Sequence, residues 1–248
     1  MKAIPNYFAQ AGPAYSTYRP IYPAALAAWL AGLVPAQQVA WDAGTGNGQL
    51  ACLLGQHFTT VFATDDSASQ IAAAPLHPRV VYRVEQAEQC SLDNQSVHLV
   101  TVAQAAHWFN LPAFYEQVRR VAAPGAVLAL IGYGLCRVNA GIDAWVTKFY
   151  REVAGPYWPP QRQHLDTAYS HLYFPFTPIA TPDLEMVMPV NLHHFLGYLS
   201  TWSAVQLRQK QTGINPIPNL KKQLQACWPA KQVREVRFPL FIKAGLVR

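Results

Sequence analysis

The segment Val39-Ala40-Trp41-Asp42-Ala43-Gly44-Thr45-Gly46-Asn47-Gly48 constrains this chain more than any other. A short apolar run ends in three alternating glycines. Leu50, Leu53, Leu54 and Phe58 then follow at spacings of three and four, so the stretch reads as strand, tight loop and helix. Alternating glycines permit left-handed backbone and let a ligand approach the main chain closely. In open α/β sheets ligands settle at such strand ends. Glycines alone fit an ordinary tight turn equally well. The order strand, loop, helix, strand, acid is what argues for a binding site.

That acid is Asp65, which closes a second strand read over 60–64 and lies 21 residues after Gly44, where a carboxylate can accept both ribose hydroxyls. The dinucleotide fingerprint G-x-G-x-x-G, counted from Gly44, requires a third glycine where Gln49 stands. Asp42, just ahead of the loop, would repel a pyrophosphate and attract a cationic amino acid moiety. A nicotinamide dehydrogenase is therefore disfavoured. A ribose-bearing ligand without phosphates is expected.

Up to about Tyr133, strand and helix signals alternate, which means a mainly parallel central sheet with helices on both faces. Pro23 opens a helix that Gly32 closes. Ser67-Ala68-Ser69-Gln70 has the form of a capping box. Strands are expected over 79–85, 97–102 and 126–131. Asn110 caps a helix running to about Ala122, and Pro124-Gly125 makes a turn. Residues 145–202 hold 12 of the 30 aromatic residues, which marks an aromatic-rich helical lobe inserted after the fifth strand and lying over the strand ends. Residues 233–242 read as a final strand, where Pro239 demands an edge position or a bulge. The expected organisation is 1–134 as a ligand-binding core with an N-terminal lid segment, 135–202 as a substrate-side lobe, and 203–248 as C-terminal helices and a final strand completing the core.

Charged residues are only 13% of the chain, against the usual value of about 25%, and hydrophobic residues make up 51%, so a disordered chain is excluded. The longest apolar runs fall far short of the roughly 20 residues that span a bilayer, and the first residues lack a signal-like apolar stretch. Cytoplasmic residence with no membrane association is the resulting expectation. Cys52, Cys90, Cys136 and Cys227 are dispersed without a CxxC pair, so neither a metal site nor a disulfide framework is expected. From Arg208 onward nine Lys and Arg face only Glu235. Their scatter reads as a solvated surface, with a polyanion site as the alternative.

Asp42-Ala43-Gly44-Thr45-Gly46-Asn47-Gly48 resembles the D-x-G-x-G-x-G motif of class I S-adenosylmethionine-dependent methyltransferases, and further segments match in order. Asp65-Asp66-Ser67 resembles the acid-ended second strand. Ala87-Glu88 is similar to the family's adenine-side motif, although Cys90-Ser91-Leu92 departs from it. Gln104-Ala105-Ala106-His107-Trp108-Phe109 resembles the end of the fourth strand, and Val121-Ala122-Ala123-Pro124-Gly125 the turn before the fifth. Tyr15-Ser16-Thr17-Tyr18-Arg19-Pro20-Ile21-Tyr22-Pro23 is similar to the opening of the trans-aconitate methyltransferase-like branch.

The resemblance implies a Rossmann-like methyltransferase fold and S-adenosyl-L-methionine as cofactor. It implies contacts to that cofactor from Tyr18, Arg19, Asp42, Gly44, Gly46, Gly48, Asp65, Asp66, Ala87, Glu88, Gln104 and Ala105. It also implies methyl transfer to a small-molecule acceptor, with a carboxylate as the group the branch suggests. Tyr15 and Tyr18 would close over the cofactor. Arg19 would clamp the methionine carboxylate or serve a structural end. His107 has two readings, a general base for a hydroxyl or amine acceptor and a positioning or structural contact, of which the second is preferred. His193-His194 make poor joint metal ligands, because neighbours on a helix diverge. Two alternatives stand beside the leading one: an RNA or protein methyltransferase using the basic C-terminal segment, and a cofactor-binding protein without turnover. No RNA-binding module is recognisable, and the protein is expected to be a monomer or a homodimer.

Overall fold

The computed structural model describes residues 17–247, which form two compact units. The larger comprises residues 22–133, 164–184 and 240 onward. Its sheet contains β1 (Val39–Ala43), β2 (Thr60–Asp65), β3 (Val80–Val84), β4 (Val97–Ala103), β5 (Ala122–Tyr133) and β6 (Thr177–Ile179). These lie in the order β3-β2-β1-β4-β5, parallel throughout. The second half of β8 (Arg234–Leu246) then runs antiparallel to β5 and carries β6 on its far side. The order reverses at β1, so the loops leaving β1 and β4 diverge there and open the crevice where α/β proteins place ligands.

Burial explains the layers. β4 and β5 are buried almost end to end, as strands covered by helices on both faces must be. In α1 (Ala24–Gly32), Leu26, Ala27, Leu30 and Ala31 turn inward. The short helix α2 (Gln49–Leu54) buries Leu50, Ala51 and Leu54, and α3 (Ala68–Ala72) follows β2. In α4 (Leu111–Val121), Phe114, Tyr115, Val118 and Val121 face the core while Arg119 carries charge outside. Trp41 is wholly buried at the centre and meets its polar requirement by donating Nε1–H to Thr64 Oγ1 at 2.9 Å.

Three local expectations need correction. The Pro124-Gly125 turn is absorbed into β5. Between the pairs Val97↔Ala122 and Leu99↔Val127 β5 advances further than β4, and Gly125 takes φ +77° in the bulge. The capping box does not form at Ser67, whose side chain makes no cap bond and meets Ser69 Oγ at 3.0 Å. Asp65 Oδ1 takes the Ser67 N–H instead, at 2.9 Å. Asn110 stands at the head of α4 as expected but makes no side-chain cap. Its own N–H donates to Glu88 Oε1 at 2.7 Å.

The second unit comprises residues 134–163 and 185–239 together with the described residues up to Ile21. It holds α5 (Ala140–Lys148), β7 (Glu185–Val190), α6 (Leu192–Ser200), α7 (Ser203–Thr212), α8 (Ile217–Leu224) and the first half of β8, which pairs antiparallel with β7. Residues 164–184, read from sequence as part of the 135–202 lobe, belong with the larger unit. There Phe176 packs edge-on against Tyr115 of α4 at 5.2 Å between centroids. Pro239 pairs with Glu185 as the last residue of the β7 ladder, and Leu240 begins the pairing with β5. The proline thus stands where the strand changes partners and one lost donor disturbs the ladder least.

Candidate functional site

The glycine loop is held by bonds that its own sequence supplies. Thr45 N donates to Thr64 O at 2.9 Å, tying the loop to the end of β2, and Gly46 N donates to Asp65 Oδ2 at 2.9 Å. Gly48 N bonds Thr45 O, and Gly48 O accepts from Cys52 N to start α2. The glycines are obligatory at two of these positions. Gly44 has φ +65°, and a Cβ there would lie 2.6 Å from Ala105 Cβ; Gly48 has φ +81°, and its Cβ would collide with the Tyr82 phenol. Tyr82 OH also meets Cys52 Sγ at 3.4 Å, and burial pushes the phenol's pKa up. Gly46 is left-handed as well.

Asp42, the next-to-last residue of β1, is almost fully buried. Its Oδ2 accepts from Thr45 Oγ1 and its Oδ1 from Thr101 Oγ1, each at 2.6 Å. Burial pushes its pKa up to about 6 against those two hydroxyls, and the charge of Asp65 adds to the rise. Asp65 is raised too, by burial first, while the Ser67 and Gly46 N–H groups oppose the shift. Two neighbouring carboxylates, both costly to ionise where they stand, form a site that a cation relieves. Each Asp65 oxygen keeps a lone pair beyond its backbone bond and can accept from a hydroxyl. Asp66, expected beside it, is exposed.

At the exit of β4, Gln104 is a non-glycine residue at φ +60°, held by its N–H to Ile131 O at 2.9 Å and its Nε2 to Tyr133 O at 3.0 Å. Backbone strain fixed from both ends is a mark of a functional position. It sets Ala105 against Gly44. His107 is buried, with Nδ1 3.1 Å from Tyr169 OH and its ring 4.8 Å from Trp108. Ala168 and Tyr169 are both left-handed, so this contact too rests on unusual backbone. Ala87 is buried after β3, and Glu88 is occupied with the head of α4. Asp42, the three glycines, Asp65, Asp66, Ala87, Glu88, Gln104, Ala105 and His107 all belong to the larger unit. Among the described residues no group of His, Cys, Asp or Glu is arranged to hold a metal ion, and no helix is long and apolar enough to cross a membrane.

Tyr18 and Arg19 belong to the other unit; Tyr15 lies outside the described residues. The Tyr18 ring fills the space beside Gly197 and meets His194 edge-on at 4.9 Å. Arg19 Nη2 donates to Thr201 O at 3.2 Å, and its guanidinium lies 5.7 Å over Tyr198. Around them Tyr150, Trp158, Tyr198, Trp202 and Phe149 form a continuous ring cluster with centroids 5.1–6.1 Å apart. Arg162 lies 4.8 Å over Trp158 and donates Nε–H to Tyr150 OH at 3.2 Å. Sequence reasoning missed Thr101, Tyr82, Tyr169 and Arg162. Thr45 had a local signal three residues after Asp42, but the others meet their partners only through the fold.

A loop with obligatory glycines between a buried carboxylate, Asp42, and a half-buried one, Asp65, fits the cofactor that the sequence motif implies. The family model described as a methyltransferase domain matches residues 41–130. A candidate methyltransferase of Dictyostelium discoideum is 30% identical over 213 residues, covering 83% of this chain and 81% of that protein. An uncharacterised methyltransferase of Mycobacterium tuberculosis (strain H37Rv) is 36% identical over 126 residues, about half of each chain. The structure of a candidate type II methyltransferase from Anaeromyxobacter dehalogenans is 41% identical, with a TM-score of 0.87 over 93% of this chain and 98% of that one. The chain belongs to the class I S-adenosylmethionine-dependent methyltransferases. It is an enzyme whose cofactor is S-adenosylmethionine.

Proposed function

We propose that the acceptor is a small molecule carrying a carboxylate, and that the glycine-loop corner of the larger unit holds the cofactor. The observation that carries the acceptor reading is the arginine-bearing ring cluster. The half-buried rings of Tyr150 and Trp158, backed by the buried rings of Phe149, Tyr198 and Trp202 and flanked by Arg162, offer flat apolar surface beside a guanidinium, a pairing suited to an organic acid. The similarity of residues 15–23 to the trans-aconitate methyltransferase-like opening supports the same class.

The cofactor supplies a methyl group on a sulfonium sulfur, ready for in-line displacement. Asp42 would attract the ammonium of its amino acid end, and the loop glycines would admit the main chain to close range. Asp65, which holds the loop through Gly46 N and the start of α3 through Ser67 N, would accept from the ribose hydroxyls. Ala87 and Glu88 would border the base, with Gln104 and Ala105 beside Gly44. A carboxylate acceptor is already an anion at neutral pH, so no general base is required. His107, its ring set by Tyr169, then positions rather than deprotonates, and the rate comes from orientation and the exclusion of water.

The test is a transfer assay with methyl-labelled S-adenosylmethionine against low-molecular-weight carboxylic acids, total RNA and protein. Label is expected in a base-labile ester of a small acid. For Arg162→Met the KM for that acid should rise about tenfold, the loss of a charge-assisted hydrogen bond, with the cofactor Kd unchanged. Label in RNA or protein with none in the acids would sink the reading.

A further inference from the structure

Strand β3 is the outermost of the parallel strands: β2 pairs with one edge, and among the described residues no strand pairs with the other. The ladder to β2 uses the odd-numbered residues. Arg79 O accepts from Val61 N at 2.8 Å, Glu85 N donates to Asp65 O at 3.0 Å, and the register Val61↔Val80 to Asp65↔Val84 assigns Val81 and Arg83 to the same side. Alternate residues of a strand aim their main-chain groups at opposite edges, so Val80, Tyr82 and Val84 turn theirs away from β2. Of these, Val80 N is taken by His77 O. The edge lacks the usual protection of such strands: no proline, lysine or bulge falls within Val80–Val84, and Arg83 is folded over Phe62 at 4.5 Å. Val81, Val84 and Leu76 are all exposed, Leu76 completely.

We propose that this edge pairs with the same edge of a second copy of the chain, antiparallel, about a two-fold axis through Tyr82. In that register Tyr82 faces the partner's Tyr82 and exchanges two main-chain hydrogen bonds with it. Val84 N reaches the partner's Val80 O on either side, making four bonds from groups that otherwise point outward. Opposite charges mark the two ends of the strand. Arg79 precedes it, and Glu85, whose carboxylate also accepts from Ser91 N and Ser91 Oγ in its own chain, follows it, so the antiparallel copy sets Arg79 against the partner's Glu85 twice. Within one chain those residues stand about 20 Å apart along the strand and cannot meet. This matching at both ends selects a second copy over an unrelated strand. Such a contact is isologous, with each residue's partner fixed by the symmetry.

The experiment is sedimentation equilibrium on the full chain, with cysteine cross-linking to read the register. The wild-type protein should show reversible, concentration-dependent mass between 27.5 kDa and twice that value. Arg79→Glu should weaken the association at least tenfold by opposing like charges. Facing residues of a bonded antiparallel pair lie about 5.5 Å apart between Cα atoms, within disulfide reach. The double variant Val80→Cys/Val84→Cys should therefore cross-link to a dimer under mild oxidation, while each single variant stays at chain mass. A protein that remains at 27.5 kDa at all concentrations overturns the proposal. So does a dimer that the double variant fails to trap, or one that a single variant traps.

Discussion

The glycine-loop corner and the ring cluster, the proposed cofactor and acceptor sites, are built by opposite means. The corner works largely through backbone: left-handed glycines, a strained Gln104 and the Asp65 carboxylate spent partly on main-chain N–H groups. The cluster works through side chains, rings 5.1–6.1 Å apart with guanidiniums over their faces. Backbone geometry tolerates almost no substitution, whereas a ring or an arginine can change while its neighbours repack. A corner of the first kind suits a ligand that never varies, and a cluster of the second kind suits one that differs from relative to relative.

The sharpest way to break the contrast is alanine at a left-handed glycine in each unit. At Gly48 the added methyl meets both an unfavourable φ and the Tyr82 phenol. Gly48→Ala should lower stability by about 3 kcal/mol and abolish measurable cofactor binding by calorimetric titration. At Gly213, also left-handed but with open space around its Cβ, alanine should cost only about 1 kcal/mol and leave cofactor affinity unchanged.

Asp42→Asn should weaken cofactor binding about tenfold at neutral pH without lowering the melting temperature. The folded pKa of about 6 lies above the ordinary 3.8, so between those values the native state keeps a proton that the unfolded chain has released. The resulting stabilisation is complete below 3.8 and is lost as pH rises through 6. Ionising Asp42 therefore costs the fold about 3 kcal/mol at neutral pH. Cofactor affinity should run the other way, rising through pH 6 as the carboxylate forms. The asparagine variant should flatten that rise, and titrations at pH 5 and 7.5 would show it.

The smallest effect belongs to Tyr169→Phe. Removing the hydroxyl 3.1 Å from His107 Nδ1 should lower kcat about threefold and leave the cofactor Kd in place. A larger fall, accompanied by a new pH dependence of kcat, would reveal His107 as a base.

What was legible in the sequence follows from how far apart the partners lie. The strand, loop and helix around Gly44–Gly48 and the acid at Asp65 are specified within about 25 residues by spacing alone, and the parallel sheet follows from alternation. The Asp42–Thr101 bond spans 59 residues and the His107–Tyr169 contact spans 62, so neither leaves a local pattern. The capping box at Ser67 failed for a related reason: Asp65, outside the four-residue motif, competes for the same N–H. The Pro124-Gly125 turn failed because turn residues also serve as a bulge when a neighbouring strand is present to absorb them. Proline and aromatic density marked residues 145–202 as distinct, but composition has no means of assigning 164–184 to the larger unit, where Tyr115 collects their rings.

Strand β8 begins in one unit and finishes in the other, and each unit is stitched from separate stretches of chain. No single cut of the gene frees either unit, and a transplant of the ring-bearing unit into a relative would have to move several pieces and divide a strand at Pro239. If the ring cluster is the acceptor site, as proposed, new acceptors in this architecture would come from changes at single rings and arginines rather than from exchange of whole modules.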